Sequence, residues 1–285
     1  MEKSFFDRPP EPMTPAALNP AIGRDAIAFV DPAQPSRPIV IHTYRPAAHG
    51  PDDPVVLVQH GIKRNGDEYR DFWIEAAERH QLLIVASTFP AAAFPGPESY
   101  NNGLVVGEGG AIRPRSGWLY GIPARVFQAL RATGVTRRPK ARLFGHSAGG
   151  QFVHRLMAVE AHEAFEAVFA ANSGWYTLPA LDQPFPEGLG GLGFGTSDLA
   201  RWFAYPMVIL AGDRDIDVNS ENLPRHPEAM AQGPTRYARS AYFHDYARSE
   251  AARLGLEFNW KRVTVPGVAH DGAAMSRAAA AMWFE

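Results

Sequence analysis

The stretch that decides the fold is Leu143-Phe-Gly-His-Ser-Ala-Gly-Gly150, which contains a Gly-x-Ser-x-Gly pattern. It follows the apolar run Ala141–Phe144 and precedes a segment with helical spacing, so it predicts a sharp strand-to-helix turn. Gly145 and Gly149 have no side chains, which lets the strand and the helix pack closely around the turn. We therefore expect the Ser147 hydroxyl to point outward at the positive end of a helix. The alternative is a glycine-rich turn with an incidental serine.

Short apolar runs like the one before the serine recur along the chain, as expected of strands buried on both faces of a parallel sheet. Segments with helical spacing fall between most of them. The predicted strands are Val55–Val58, Leu82–Val85, Ala141–Phe144, Ala167–Ala170, Met207–Leu210 and Trp260–Val265, and the predicted helices are Asp67–His80, Tyr120–Ala132, Gln151–Ala161, Tyr237–Leu254 and Ala273–Phe284. This alternation predicts an α/β fold with a mostly parallel, doubly wound sheet that binds ligands beyond the carboxyl ends of its strands.

The N-terminal part of the chain differs from this pattern. Prolines bound Ala26–Val30 and Ile39–Tyr44, which predict two strands of an antiparallel pair at the edge of the sheet. Five prolines within residues 1–24 favour an extended arm. We expect this arm to precede one domain over residues 25–285. Long loops with functional character are expected within that domain at about residues 89–119 and 176–204.

Composition excludes several classes of function. The 285 residues carry 28 basic and 30 acidic side chains, a net charge of −2, so no overall positive field attracts nucleic acid or an acidic membrane. No cysteine is present, which rules out disulfides, a thiolate nucleophile and zinc–thiolate or iron–sulfur sites. Met1–Pro20 has no apolar run of signal-peptide length, so we expect a cytoplasmic protein, with export after removal of a signal as the alternative. We expect no membrane span, and the oligomeric state is left open.

A serine hydroxyl becomes a nucleophile only with a base, and the base needs an orienting carboxylate. In a sheet wound in this way both follow the serine in sequence. His270 lies in a Gly-flanked loop between the last predicted strand and the last predicted helix, so we predict it as the base. For the carboxylate we favour Asp215, which stands far enough past the preceding strand to turn back toward the His270 loop. Asp213 and Asp217 are the alternatives.

Two backbone N–H groups are predicted to stabilise the oxyanion that acyl transfer would form. One belongs to Ala148, at the start of the helix after the serine, and the other to Ile62, in the loop after an early strand. Trp175 and Tyr176 follow a predicted strand end, where side chains enter the site, and we predict that they bind substrate. Tyr100, in the first long loop, is a further candidate. Ordinary core packing is the alternative for the aromatic side chains.

These motifs resemble those of the polyhydroxyalkanoate-depolymerase-like esterases of the α/β-hydrolase superfamily. The likeness rests on His60-Gly61 followed by Arg64-Asn-Gly-Asp-Glu-Tyr69 and on Gly145–Gly149, and it covers about residues 37–285. It implies a serine hydrolase that cleaves carboxylic esters through an acyl-enzyme, without metal or cofactor. The residues that it assigns are Ser147, Asp215 and His270 as the triad, and Ile62 and Ala148 as the oxyanion hole. Secreted depolymerases of this kind commonly carry disulfides and a separate polymer-binding module, which this chain has no cysteines or room for.

The sequence also allows functions other than hydrolysis of small esters. A depolymerase or amide hydrolase would act on a polyester or an acidic polymer, and Lys63, Arg64, Arg113 and Arg115 offer charge that could steer an anion, although a solvated surface is the alternative. A non-catalytic binding protein on a hydrolase scaffold is the alternative of another class. Gly188–Gly193 matches Gly-x-Gly-x-x-Gly, but prolines precede it where a dinucleotide site needs a strand.

Overall fold

The computed structural model describes residues 18–160 and 163–285. In this part of the chain a single sheet has eight strands in the order β1-β2-β4-β3-β5-β6-β7-β8. The strands are β1 Gly23–Phe29, β2 Ile39–Arg45, β3 Val55–Gln59, β4 Leu83–Thr88, β5 Ala141–His146, β6 Phe165–Ala171, β7 Val208–Gly212 and β8 Lys261–Val265. Strand β2 pairs antiparallel with β1 and β4, and every other pairing is parallel. The predicted fold class, a mostly parallel sheet with an antiparallel N-terminal edge, is confirmed.

Helices connect the parallel strands and cover both faces of the sheet. They are α1 Gly66–Asp71, α2 Ile74–His80, α3 Ile122–Ala132, α4 Ala148–Val159, α5 Thr196–Ala204, α6 Pro227–Ala231, α7 Arg236–Leu254 and α8 Gly272–Phe284. Successive strand residues point to opposite faces, so Leu57 belongs to the hydrophobic cluster under α4, whereas Val58 belongs to the cluster under α8. The sheet is therefore buried on both sides, as its runs of apolar residues indicate. No helix in the described ranges is long and apolar enough to cross a membrane.

Three predicted boundaries differ from the structure. The predicted helix Asp67–His80 is two helices, because the chain turns at Phe72 and Trp73 and buries Trp73 completely against Phe144. The second predicted loop, residues 176–204, ends in helix α5 rather than in irregular chain. Residues 1–17 of the predicted arm lie outside the described residues, and β1 begins at Gly23, one residue before the predicted end of the arm.

Candidate active site

The turn between β5 and α4 holds Ser147 in a conformation that few side chains adopt. Its φ is 59° and its ψ is −119°, in the left-handed half of backbone space. Glycines surround it because there is no room for a side chain. A Cβ on Gly145 would lie 2.2 Å from the Gly149 carbonyl oxygen, and one on Gly149 would lie 2.1 Å from that of Gln59. Close packing of strand and helix therefore forces the serine into its strained position.

The structure brings Ser147, His270 and Asp215 together at the carboxyl ends of β5, β7 and β8. His270 Nε2 lies 3.0 Å from Ser147 Oγ, and His270 Nδ1 lies 2.7 Å from Asp215 Oδ2. The His270 side chain is 29% exposed, whereas that of Asp215 is 2% exposed. A buried carboxylate thus faces one imidazole nitrogen, and the other nitrogen faces the serine in a position reached by solvent. This is the geometry of a nucleophile, a base and an orienting acid.

The other two candidate acids have different partners. Asp213 Oδ1 accepts a hydrogen bond from the Gly267 N–H at 2.7 Å, and Asp217 Oδ1 accepts one from the Asn219 N–H within its own loop at 2.8 Å. Both carboxylates therefore serve the backbone of loops around the site.

The predicted oxyanion donors lie on either side of the serine. Ala148 is the first residue of α4, where an N–H has no acceptor within its own helix. A Cβ on Gly61 would lie 3.6 Å from Ser147 Cβ, so the loop that carries Ile62 lies directly against the serine. Their role as a hole stays a prediction.

Two cavities meet at Ser147. The larger has a volume of about 700 Å³, and its wall includes Ser147, Ala148 and Trp175. The smaller has a volume of about 220 Å³, and its wall includes Ser147 and His270. The serine therefore has space for ligand atoms on both sides.

Two solved structures resemble this chain closely over most of its length. No family model and no curated protein matches the chain. Among solved structures, a poly(3-hydroxybutyrate) depolymerase from Bordetella parapertussis is 52% identical, with a TM-score of 0.90 over 93% of this chain and 91% of that one. A poly(aspartic acid) hydrolase from Sphingomonas sp. KT-1 is 36% identical, with a TM-score of 0.88 over 92% of this chain and 99% of that one.

The chain belongs to the depolymerase-like esterases of the α/β-hydrolase superfamily. An S-formylglutathione hydrolase from Agrobacterium tumefaciens, at 15% identity and a TM-score of 0.58 over 95% of this chain and 97% of that one, shares the fold alone. The predicted family and the predicted class of enzyme, a serine ester hydrolase, are thereby confirmed.

Of the three aromatic residues predicted to bind substrate, the structure places one at the site of this esterase. Trp175 lines the larger cavity, with the edge of His226 against its ring. Tyr176 is completely buried and stacks on Phe243 at 4.5 Å, away from both cavity walls. The prediction that Tyr176 binds substrate is corrected, because its ring packs in the core on Phe243.

Tyr100 also needs correction as a direct substrate contact. It is completely buried, its hydroxyl donates to the His60 carbonyl oxygen at 2.7 Å, and its ring stacks on that of His60. The first long loop folds inward at this residue, so Tyr100 supports the strand end before the predicted oxyanion loop rather than facing a ligand. Its neighbours in the loop, Asn101 and Asn102, line the larger cavity instead.

Two of the four basic residues considered for steering an anion have internal partners in this esterase. The Arg64 guanidinium donates to the carbonyl oxygens of three loop residues, Phe89, Phe94 and Gly96, and lies 4.2 Å from the Tyr100 ring centre. Arg115 pairs with Glu160 at 3.0 Å. These arginines hold the long first loop in place.

Sequence analysis missed three residues that position the triad. Arg236, at the start of α7, lies 3.5 Å from Asp215 Oδ1, with both side chains 2% exposed. Burial lowers the pKa of Arg236, and Asp215 opposes that shift. Asn172 joins two loops, since its Nδ2 donates to the Ala269 carbonyl at 3.0 Å and its Oδ1 accepts from the Gly212 N–H at 2.8 Å. Its place at the end of β6 was the only signal in the sequence.

Tyr69 is the third missed residue. Its hydroxyl shares a hydrogen bond of 2.7 Å with Nδ1 of His146, the buried neighbour of the serine. A Cβ on Gly61 or on Gly272 would lie 2.9 Å from this hydroxyl. Burial, followed by the charge of His270, lowers the pKa of His146 well below its usual value, so this imidazole stays neutral beside the base. One phenol thus contacts the loop before the oxyanion donor, the turn and the loop after the base.

A group of possible metal ligands lines the larger cavity. Donor atoms of Glu187, His226 and Glu228 lie within 4.8 Å of one another. Glu228 is exposed, and exposed carboxylates are common without an ion. Ester hydrolysis by a triad does not require this group.

Proposed function

We propose that this esterase hydrolyses carboxylic esters by acyl transfer, with Ser147 as nucleophile, His270 as base and Asp215 as the orienting acid. The observation that carries the proposal is the pair of hydrogen bonds through His270, 3.0 Å to the serine oxygen and 2.7 Å to the carboxylate. Among the described residues, His270 is the one histidine whose ring nitrogen lies within hydrogen-bond distance of the hydroxyl of a serine on a strained turn.

The reaction has two halves. Ser147 Oγ attacks the ester carbonyl carbon while His270 Nε2 takes its proton, and Asp215 stabilises the imidazolium through Nδ1. The N–H groups of Ile62 and Ala148 donate to the oxyanion. The ester C–O bond then breaks, and His270 returns the proton to the leaving alcohol. In the second half, water attacks the acyl-enzyme with the same base, and the acid product leaves.

The proposal is tested with aryl esters of graded acyl length and with a fluorophosphonate probe. We expect Ser147→Ala and His270→Ala to reduce kcat by roughly 10⁶, and Asp215→Asn by roughly 10⁴. Asp217→Asn is the matched control, since this exposed carboxylate bonds to the backbone of its own loop. Folded wild-type protein that does not react with the probe, or Asp215→Asn with a normal rate, would contradict the assignment.

A neutral polyester is the substrate class that we favour beyond simple esters. The 52% identity to a poly(3-hydroxybutyrate) depolymerase supports it, and so does the volume of the larger cavity. An acidic polymer is the other candidate, from the likeness to a poly(aspartic acid) hydrolase. The wall of the larger cavity carries three carboxylates, Glu98, Glu187 and Glu228, and two guanidinium groups, Arg64 and Arg236, the second of which is paired with Asp215. The excess of negative charge opposes an anionic chain there.

A further inference from the structure

The two cavities at Ser147 have different walls as well as different volumes. Four residues line both of them: Ile62, Ser147, Asn222 and Arg236. Among the described residues, His270 and Tyr69 line the smaller cavity and not the larger, whereas Ala148 lines the larger and not the smaller. The base and one predicted oxyanion donor therefore line different cavities beside the nucleophile.

These positions decide where the two halves of an ester lie. The leaving alcohol takes its proton from His270 Nε2, so its oxygen must come within hydrogen-bond reach of that nitrogen. The carbonyl oxygen must reach the N–H of Ala148, a residue of the larger cavity's wall. We propose that the smaller cavity binds the alcohol part of the ester and the larger cavity binds the acyl part. This inference rests on the proposed ester hydrolysis.

The volumes of the two cavities limit how many atoms the alcohol part and the acyl part of the ester can have. At roughly 30 Å³ for each packed water-sized group, the smaller cavity of about 220 Å³ holds roughly seven heavy atoms, which is one four-carbon hydroxy acid. The larger cavity of about 700 Å³ holds roughly 23, which is three or more such units. A linear polyester of hydroxy acids would then lose one unit at a time from its carboxyl end. The leaving alcohol is the terminal hydroxy acid, and the hydroxyl-terminal remainder is the acyl group on Ser147.

Charge on the smaller cavity supports this direction. The terminal unit carries a free carboxylate, and the exposed Lys63 lies on the wall with no ion pair within the described ranges. Arg236, also on this wall, is paired with Asp215. Glu68 is the one carboxylate among the described wall residues, and it accepts from Asn65 Nδ2 at 2.7 Å. Lys63 is therefore the cation available to the leaving acid.

The test uses a linear tetramer of 3-hydroxybutanoate that carries a fluorescent tag joined to its hydroxyl end through an ether. At early conversion we expect untagged monomer and tagged trimer, separated by liquid chromatography and mass spectrometry. Tagged monomer, or dimers as the main product, would overturn the proposal. An aryl butyrate is assayed in parallel. If it is cleaved and the tetramer gives the wrong products, the subsite assignment fails, whereas loss of both activities contradicts the proposed function.

Two single substitutions test the charged residues on the wall of the smaller cavity. One removes a positive charge and the other removes a negative charge. We expect Lys63→Met to raise KM for the free-acid tetramer about threefold to fivefold, the range of an exposed charge pair, and Glu68→Gln to lower it. Both variants should keep the wild-type KM for the tetramer methyl ester, whose end carries no charge. Equal effects of Lys63→Met on the two tetramers would overturn the assignment of Lys63.

Discussion

At the scale of single residues, the predicted triad depends on side chains that take no part in proton transfer. Tyr69 is the plainest case. It has one hydrogen bond to His146 and close contacts to two glycines, and through these it touches the loops around the nucleophile, the oxyanion donor and the base. Since a reacting group displaced by a fraction of an ångström loses rate, a residue of this kind acts by position alone.

We expect Tyr69→Phe to reduce kcat about tenfold while KM changes little. The reason is that Tyr69 positions the loops whose groups act in the transition state, and loss of such positioning lowers kcat more than it weakens substrate binding. Tyr120→Phe is the control, since it removes a buried hydroxyl that donates to the Asn101 carbonyl at 2.9 Å. Both changes cost about 1 kcal/mol of unfolding free energy. Steady-state kinetics on one aryl ester, with urea unfolding, compares them, and equal kcat values for the two variants would refute a positioning role.

The sequence predicts Ser147 and His270 from their places after strands, because strand order limits where each can lie. It does not predict the roles of Tyr69, Arg236 or Asn172, although Tyr69 ends the Arg64–Tyr69 stretch that carries the family likeness. Their partners lie in distant segments, and a tyrosine, an arginine or an asparagine at a helix or strand end has many ordinary uses. Contacts made only by tertiary packing leave no local pattern.

At the scale of elements, the junction of β5 with α4 is limited by glycine more than by any hydrophobic contact. Gly149 lies in the first turn of α4, where alanine would ordinarily stabilise a helix by about 1 kcal/mol. Here its Cβ would lie 2.1 Å from the Gln59 carbonyl oxygen, on the neighbouring strand β3. Because of this close packing, glycine is favoured over alanine at position 149, although alanine is favoured in most helices.

We expect Gly149→Ala to lower the free energy of unfolding by about 1–3 kcal/mol, since backbone on both sides must move to admit the methyl group. Gly117→Ala is the matched control, because no atom lies within 4 Å of the Cβ that it adds. Urea unfolding at neutral pH measures both. A Gly149→Ala variant as stable as the control would mean that strand and helix separate without cost.

The elements themselves were predicted well where they are buried and less well elsewhere. Every predicted strand is present, because a strand covered on both faces is apolar throughout. Helix α5 was missed, although Leu199, Trp202 and Phe203 have helical spacing and are buried. The glycines and prolines before α5 favour irregular chain, and a helix of only nine residues gives a short helical pattern.

At the scale of the whole molecule, three buried histidines link folding to pH. His60, His146 and His154 are at most 2% exposed. Burial lowers the pKa of His60 to about 3 and the pKa values of the other two well below the usual 6.5. The unfolded chain binds protons at these sites below about pH 6.5 and the folded chain does not. Stability from this source is therefore complete above pH 6.5 and falls as the pH falls toward the folded pKa values.

We expect the free energy of unfolding to decline below about pH 6.5 by about 1.4 kcal/mol per pH unit for each of these histidines. Urea unfolding between about pH 7.5 and pH 5 measures the slope. His154→Gln should reduce the slope of unfolding free energy against pH by the contribution of one histidine, even though the variant loses the hydrogen bond to the Gly150 carbonyl. His244→Gln, beside the exposed Asp245, is the control. The same slope for His154→Gln as for wild type would contradict the linkage.

Sequence alone therefore predicted the architecture and the family, and it named a candidate nucleophile, acid and base that lie within hydrogen-bond distance of one another. It did not predict the shape of the space around them. Whether Trp175 or Tyr176 faces a ligand depends on how the segment after β6 turns. The two cavities at Ser147 form where the segments after six strands, β3 to β8, meet. Such volumes are properties of the packed molecule.

The distance along the chain between the reacting groups has a consequence for biosynthesis. Ser147 and His270 are 123 residues apart. A ribosome therefore adds the serine long before it adds the imidazole, and a serine hydroxyl without its base is a poor nucleophile. Reactivity begins only once β8 has joined the sheet, so translation itself delays the chemistry until the fold is nearly finished.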